Sequence, residues 1–418
     1  MLAVAVLLSA GCGQAAGVPS DAGSAPRLEL GRDSDALVRR DGAMDALLDA
    51  PADTSDGGSG TPRGDFVVRD RLVDVATAVP GFEGETFRLW TREVVRADLD
   101  AAGHVFTEAE VVLTVHGATV GGDGLFDAAG GSVLEAFAAR GFSAWTFDLT
   151  GYGRSTKPGP MDDPCNLAAA EQRAYGFDCA PSYGFVLTSS DSERADLGAV
   201  VDFVRRTRGV ARVGLLSESL GGSRVVHFAS THPEDVGRVV FFGTGGSGVL
   251  SSEGPTGAVP REGASVSGTT EAELRRALAG PDCREGAVEP AVVDAAVAQM
   301  LTPETVGLAW GPGVLRAPTV DLWGAARGNL ERMRAPALVV GGECDPLAFP
   351  ATVDALYRAL GAAEKVRVRL EGAGHVVMLE TGLPAFVDVA SEWLREGSLE
   401  GRTEGDVRVD PAGGRRWR

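Results

Sequence analysis

The sequence predicts an α/β domain with a mostly parallel sheet flanked by helices on both faces. Between residues 65 and 396, short apolar runs of strand length alternate with stretches that carry apolar residues at helical spacing. Such alternation is typical of a parallel sheet, because each helical crossover returns the chain to the same sheet edge. About ninety residues, 244–334, break this rhythm and predict an insertion between two strands.

The individual elements follow from local patterns. Residues 66–96 alternate apolar and polar side chains around a Pro80-Gly81 break, which predicts antiparallel strands. Buried strands are predicted at 110–116, 142–148, 210–216, 236–242, 337–341 and 366–370. Amphipathic helices are predicted at 125–140, 192–206, 221–230, 352–360 and 383–395. Within the insertion, 271–278 and 291–300 also have helical patterns, so we expect a helical cap.

The chain ends differ from this central region. Residues 1–12 form a short apolar run ending in Ser9-Ala-Gly-Cys12, which is similar to a bacterial lipoprotein signal with Cys12 as the lipidated residue. No Lys or Arg precedes the run, so a plain cleaved signal peptide is the alternative. Residues 13–64 predict a flexible linker and 397–418 a polar tail. We therefore expect an exported protein, either a cell-envelope lipoprotein or a periplasmic or secreted one.

Charge and composition narrow the possible partners. The 418 residues carry a formal net charge of −19, which disfavours nucleic acid and anionic membrane surfaces. Contact with a membrane is expected only through the N-terminal anchor, and the predicted ligand is a small molecule. No motif implies a metal or an organic cofactor, and the sequence does not indicate an oligomeric state.

Four further cysteines suit an oxidising compartment. A short polar loop separates Cys165 from Cys179, so we expect a local disulfide there, which leaves Cys283 to pair with Cys344. The alternative is that some of them are buried thiols.

A serine lies in a strand–turn–helix context. The strand ending at Leu216 runs into Ser217-Glu-Ser-Leu-Gly221-Gly222, where small residues allow a sharp turn that would expose Ser219 at the start of a helix. The helix dipole and free N–H groups would favour negative charge there. A serine that only caps the helix is the alternative interpretation.

An acid and a base follow in the chain order that a serine nucleophile requires. Asp345 follows one predicted strand and His375 the next, so both would lie at the same carboxyl edge as Ser219. Glu343 is a rival acid, but it is too close to its strand to reach. The turn after strand 236–242 contains no carboxylate, and His227 and His232 are expected to be structural.

The oxyanion hole is predicted from two backbone N–H groups. His116-Gly117-Ala118 ends a strand upstream of the serine, so the N–H of Ala118 could face the oxyanion together with that of Leu220. The imidazole of His116 is expected to make structural hydrogen bonds.

Taken in order, His116-Gly-Ala, Asp148-Leu-Thr-Gly-Tyr-Gly-Arg-Ser155, the serine hexapeptide, Asp345 and Gly374-His375 resemble the α/β-hydrolase family over residues 65 to 396. The resemblance implies an eight-stranded, mostly parallel sheet, with core segments 65–243 and 335–396 around the cap 244–334. It also implies cofactor-free hydrolysis through an acyl-enzyme. A serine at 219, where haloalkane dehalogenases and epoxide hydrolases of this fold have an aspartate, points away from those two chemistries.

The predicted activity is hydrolysis of a carboxylic ester, a lactone or a related acyl bond. The same triad would also serve a cofactor-free perhydrolase or a carbon–carbon bond hydrolase, and these alternatives stay open. A non-catalytic anchored binding protein is a further alternative, although no member of the triad is missing.

Overall fold

The computed structural model describes residues 60–128, 131–245, 264–280 and 284–418. A sheet of eleven strands forms the centre of this part of the chain. The strands are β1 (Thr61–Arg63), β2 (Phe66–Ala76), β3 (Thr86–Arg96), β4 (Val111–Val115), β5 (Ser143–Phe147), β6 (Val213–Glu218), β7 (Val236–Phe242), β8 (Ala337–Gly342), β9 (Lys365–Leu370), β10 (Glu404–Val409) and β11 (Arg415–Trp417). Their order across the sheet is β1-β2-β3-β5-β4-β6-β7-β8-β9-β10-β11.

Most of the helices connect these strands, and α7 and α8 lie in the insertion. They are α1 (Ala97–Ala101), α2 (Gly122–Phe126), α3 (Val133–Ala139), α4 (Ala169–Tyr175), α5 (Ser190–Arg208), α6 (Gly221–Thr231), α7 (Glu271–Leu278), α8 (Pro290–Leu301), α9 (Arg327–Arg332), α10 (Pro350–Ala359) and α11 (Leu383–Glu396). Within the described residues, none of the helices combines the length and the apolar character needed to cross a membrane.

The predicted α/β class is confirmed. From β5 through β4 and β6 to β10, neighbouring strands run parallel. The strands β1, β2 and β3 are antiparallel to their neighbours, as the alternating pattern of 66–96 predicts. The sheet exceeds the eight strands that the resemblance implies, because residues 61–63 and 404–417 add β1, β10 and β11.

Two apolar cores lie on opposite faces of the sheet. Successive side chains of a strand point to opposite faces, so Val339 of β8 joins the core that includes Leu197 of α5 and Val225 of α6. Its neighbour Val340 joins the core that includes Phe386 of α11. Strands buried on both faces read as continuous apolar runs, which is why they could be found from the sequence.

The insertion packs against a second, separate segment of the chain. In the insertion, α7 and α8 confirm the two predicted helices, and an antiparallel strand pair, Val266–Thr270 with Val314–Pro318, adds to them. Residues 159–189, which the sequence analysis placed in the core, pack against the insertion: Thr188–Ser189 pairs with Val320–Asp321. Residues 159–189 form short elements with little periodicity, so no sequence pattern indicated that they pack against the insertion.

A buried arginine joins the insertion to residues 159–189. Arg316 is only 3% exposed and forms an ion pair with Glu304 at 2.8 Å. It also donates a hydrogen bond to the carbonyl of Met161 at 2.8 Å. Since Glu304 is also buried, the pair satisfies two charges that would be costly to leave unpaired.

Two local expectations were wrong. The predicted helix 125–140 is interrupted, because Gly131–Ser132 is extended and the Ser132 hydroxyl caps α3 by accepting from the N–H of Glu135. The predicted polar tail contains β10, which runs parallel to β9 and buries Val407 and Val409. Only these two apolar side chains alternate with the polar residues of 404–409, which is too weak a pattern to indicate a strand.

The cysteine and N-terminal predictions have different outcomes. Cys165 and Cys179 form the predicted disulfide, with 5.3 Å between their Cα atoms. Cys344 is also in a disulfide, but its predicted partner Cys283 lies outside the described residues, so that pairing stays a prediction. The signal segment 1–12 with Cys12 and nearly all of the linker 13–64 also lie outside them.

Candidate active site

The predicted site residues meet at the carboxyl edge of the parallel strands. Ser219 directly follows β6, Asp345 follows β8 and His375 follows β9. Because these strands run in the same direction, the loops that leave them lie on the same side of the sheet. The structure therefore places all three residues, which are up to 156 positions apart in the chain, at the same edge of the sheet.

Ser219 lies on a strained turn. Its φ angle is 50°, a left-handed conformation that non-glycine residues rarely adopt. The turn is held by hydrogen bonds from the Ser219 N–H to the carbonyl of Phe242 (2.9 Å) and from the Thr244 hydroxyl to the carbonyl of Ser219 (3.1 Å). A side chain at Gly221 would collide with the backbone of β4, so this glycine is needed where the turn enters α6. The side chain of Ser219 makes no hydrogen bond to another described residue.

His375 is oriented by Asp345. The Nδ1 of His375 lies 2.8 Å from Oδ2 of Asp345, and the Asp345 side chain is fully buried. The other oxygen, Oδ1, accepts hydrogen bonds from the N–H groups of Leu347 and Ala348, both at 2.8 Å. The rival acid Glu343 instead pairs with Arg408 at 2.6 Å. Asp345, and not Glu343, is thus the acid that faces Nδ1 of the imidazole.

Burial alone would lower the pKa of His375. The hydrogen bond to Asp345 and the negative charges of Glu218 and Asp345 outweigh this and raise the pKa above its usual value. The imidazole therefore keeps a proton more firmly than an isolated histidine does.

The predicted oxyanion groups are the backbone N–H groups of Ala118 and Leu220. Among the described residues, neither the N–H of Ala118 nor that of Leu220 has a hydrogen-bond acceptor. His116, at the end of β4, is structural as expected: its Nδ1 lies 2.8 Å from the carbonyl of Gly117 and its Nε2 accepts from the N–H of Leu149 at 3.1 Å. Burial and the charge of Arg224 lower the pKa of His116 to about 3, so the imidazole is neutral.

Arg224 holds the loop of residues 116–118, called here the oxyanion loop because it contains the predicted oxyanion group of Ala118. The sequence analysis did not predict this contact. This α6 side chain is buried and donates to the carbonyls of His116 (2.6 Å) and Gly117 (2.8 Å). Its charge is balanced by Glu193 of α5 at 2.7 Å, which is also buried. A helical position gives no sign of which loop a long side chain reaches, so no sequence signal marked Arg224.

Two further carboxyl groups, those of Glu380 and Glu218, act on His375. Glu380 accepts hydrogen bonds from the N–H of Gly374 with both oxygens at 3.0 Å, and burial raises its pKa to about 7. Glu218, the residue before the serine, places Oε1 3.2 Å from Nε2 of His375. Burial also raises the pKa of Glu218 to about 7. The position of Glu218 beside Ser219 was the only sequence signal for this contact.

The Asp148–Ser155 loop contacts the residues that hold the oxyanion loop. Asp148 is buried and accepts from the N–H of Arg154 at 2.9 Å, while the hydroxyl of Ser155 donates to the carbonyl of Asp148 at 2.5 Å. Gly153 has a φ of 46°, and a side chain there would collide with the Asp148 carboxylate. Tyr152 of the same loop contacts Arg224, which links the loop to the oxyanion residues.

The other candidate residues lie elsewhere. His227 places Nδ1 3.0 Å from the carbonyl of Ser190 and packs on Trp323, as expected for a structural histidine. Among the described residues, no cluster of three or more His, Cys, Asp or Glu side chains could hold a metal ion.

A polar cavity of about 640 Å³ contains none of the predicted site residues. Its lining includes Arg63, Arg92, Asp127, Arg154 and Gln299. Each of these arginines is already paired with a carboxylate, for example Arg63 with Asp127 at 2.7 Å. These pairs leave no uncompensated positive charge to attract an anion.

Comparison with known proteins agrees with this fold. A family model described as serine aminopeptidase, S33, matches residues 109–382, which is more than half of the chain. The match begins before the oxyanion loop and ends after His375, so it includes every predicted catalytic position.

Solved structures with similar folds include three hydrolases. A thermophilic esterase from Thermogutta terrifontis is 16% identical, with a TM-score of 0.45 over 78% of this chain and 98% of that one. A serine hydrolase involved in carbazole degradation is 15% identical, with a TM-score of 0.48 over 78% and 99% of the two chains. A meta-cleavage product hydrolase from Pseudomonas fluorescens IP01 is 13% identical, with a TM-score of 0.48 over 78% and 98%. Identities this low transfer no substrate to this chain.

Proposed function

Because the chain belongs to the serine aminopeptidase S33 family of α/β-hydrolases, we propose that it cleaves a carboxylic ester or a related acyl bond through an acyl-enzyme formed on Ser219. The observation that carries this proposal is the His375 Nδ1–Asp345 contact of 2.8 Å at the edge where Ser219 occupies its strained turn. A buried acid that orients an imidazole at the edge where a serine follows its strand is the arrangement that activates a hydroxyl nucleophile.

The reaction follows from these positions. His375 takes the proton of the Ser219 hydroxyl while the oxygen attacks the acyl carbon, and Asp345 stabilises the imidazolium that forms. The N–H groups of Ala118 and Leu220 bind the oxyanion of the tetrahedral intermediate. His375 then gives the proton to the leaving alcohol, and water attacks the acyl-enzyme by the reverse route. No cofactor is needed for these steps.

Hydrolysis of p-nitrophenyl esters from acetate to palmitate tests the proposal. We expect turnover by the wild-type chain, none above background in Ser219→Ala, and full activity in Ser230→Ala. Ser230 is a suitable control because it lies at the far end of α6 and its hydroxyl only bonds the carbonyl of His227. The preferred acyl length would measure the size of the pocket.

An aminoacyl p-nitroanilide belongs in the same assay, because the family description names aminopeptidases. Serine-dependent cleavage of the anilide with no cleavage of any ester would contradict the ester proposal. Equal ester turnover by wild type and Ser219→Ala would contradict the assignment of the nucleophile.

The proposed location is outside the cytoplasm. The Cys165–Cys179 disulfide supports it, since disulfides persist in oxidising compartments. If Cys12 is lipidated, the wild-type protein should fractionate with membranes and Cys12→Ser should not. Recovery of both in the soluble fraction would favour a plain signal peptide.

A further inference from the structure

One contact in the candidate site is not part of the mechanism above. Nε2 of His375 is the atom that must accept the Ser219 proton, yet it lies 3.2 Å from Oε1 of Glu218. The Glu218 side chain is 6% exposed and that of His375 is 13% exposed, so little water separates or screens the pair.

The hydrogen bond between His375 and Asp345 determines whether a proton lies at the contact between His375 and Glu218. Asp345 accepts a hydrogen bond from the Nδ1–H of His375, which in a neutral imidazole leaves Nε2 with a lone pair and no proton. An ionised carboxylate facing that lone pair at 3.2 Å would be repulsive. The contact is favourable only when one more proton lies between the two atoms, on either His375 or Glu218.

Glu218 is fixed in this position by the fold. It ends β6, and its carboxyl group lies against Gly117, where any side chain would collide with Oε2 of Glu218. The charged neighbours of Glu218 are His375, Asp345 and Arg224, and Arg224 is already paired with Glu193. His375 in turn faces Asp345, Glu218 and the more distant Glu380, whose charge Arg284 partly balances.

We propose that Glu218 is a positioning residue that shares one proton with His375 in the resting enzyme and so sets the pH above which His375 can act as the base. This inference rests on the proposed function for its role in turnover. Below that pH, the shared proton occupies Nε2 and Ser219 is not activated. Above it, the proton leaves, and Nε2 can accept the hydrogen of the Ser219 hydroxyl.

The pH profile of kcat/KM tests the proposal. Removing the negative charge in Glu218→Gln should shift the acidic limb of the kcat/KM profile to lower pH by about one unit or more. The reason is that an opposite charge at this distance raises the pKa of a histidine by about that amount. Glu218→Asp keeps the charge and should retain an acid limb closer to that of the wild type. Glu343→Gln removes a carboxylate from the Asp345 loop that pairs with Arg408 instead, and should leave the limb unchanged.

A second measurement does not depend on turnover. The imidazole Cε1–H resonance of His375, assigned by its absence in His375→Gln, should titrate at a lower pH in Glu218→Gln than in wild type. If no variant hydrolyses any ester, the proposed function fails, but this titration still reports on Glu218. An unchanged His375 titration in a folded Glu218→Gln protein would overturn the inference, as would a shift to higher pH.

Discussion

At the scale of single residues, the site depends on which atoms of each side chain already form hydrogen bonds. Asp345 uses Oδ1 for two backbone N–H groups and Oδ2 for His375. This division fixes the imidazole tautomer, because an ionised carboxylate oxygen can only accept a hydrogen bond, so Nδ1 must carry the proton and donate it. Nε2 is therefore the nitrogen left to face the serine and Glu218.

Asp345→Asn should reverse this tautomer. The N–H groups of Leu347 and Ala348 require the amide oxygen on their side, so the amide NH₂ would point at Nδ1 of His375. The imidazole would then carry its proton on Nε2 and could not accept one from Ser219. We expect kcat to fall by about 10³–10⁴-fold with the fold intact.

Steady-state kinetics with circular dichroism check this expectation. Glu343→Gln, on the same loop, is the matched control and should keep its activity. A folded Asp345→Asn protein with kcat within tenfold of the wild type would contradict the assigned acid.

At the scale of elements, two helices hold the oxyanion loop through one buried ion pair. Arg224 of α6 and Glu193 of α5 are both at most 2% exposed. Breaking such a pair from one side leaves a buried charge uncompensated, which costs far more than the pair contributes to stability. The loop carbonyls of His116 and Gly117 depend on the same guanidinium.

Substitutions in this pair should separate stability from activity. We expect Glu193→Ala to lower the free energy of unfolding by about 3–5 kcal/mol. The double variant Arg224→Met with Glu193→Leu should recover much of that loss, since apolar side chains of similar volume fill the space. Its kcat should stay low, because nothing then holds the carbonyls beside Ala118.

Urea unfolding and ester kinetics on the three proteins give the comparison. A double variant that recovers both stability and kcat would show that Arg224 only stabilises the fold.

A second prediction at the scale of elements concerns the C-terminal strands β10 and β11. A chain ending at residue 403 would lose β10, expose the edge of β9 and remove the buried Val407 and Val409. An unpaired hydrophobic edge favours aggregation, so we expect a lower melting temperature and oligomers in size-exclusion chromatography. A chain ending at residue 410 keeps β10 and is the control. Equal behaviour of both truncations would mean that β10 contributes little.

At the scale of the whole molecule, the sequence predicts positions along the chain better than contacts across it. The class of the sheet and the meeting of Ser219, Asp345 and His375 at one edge follow from where each residue stands relative to a strand. Glu218 and Arg224 could not be assigned in this way, because their roles depend on the direction of a side chain between elements. The packing of residues 159–189 against the insertion and the strand β10 were missed because the apolar periodicity of both segments is weak.

Labelling with a fluorophosphonate tests the central claim most directly, since the reagent forms a stable bond only with an activated serine. We predict that mass spectrometry will find a single adduct on the peptide containing Ser219, and that Ser219→Ala will prevent it and His375→Gln will slow its formation. An unlabelled wild-type protein, or equal labelling of Ser219→Ala, would contradict the assignment of this chain as a hydrolase that acts through Ser219.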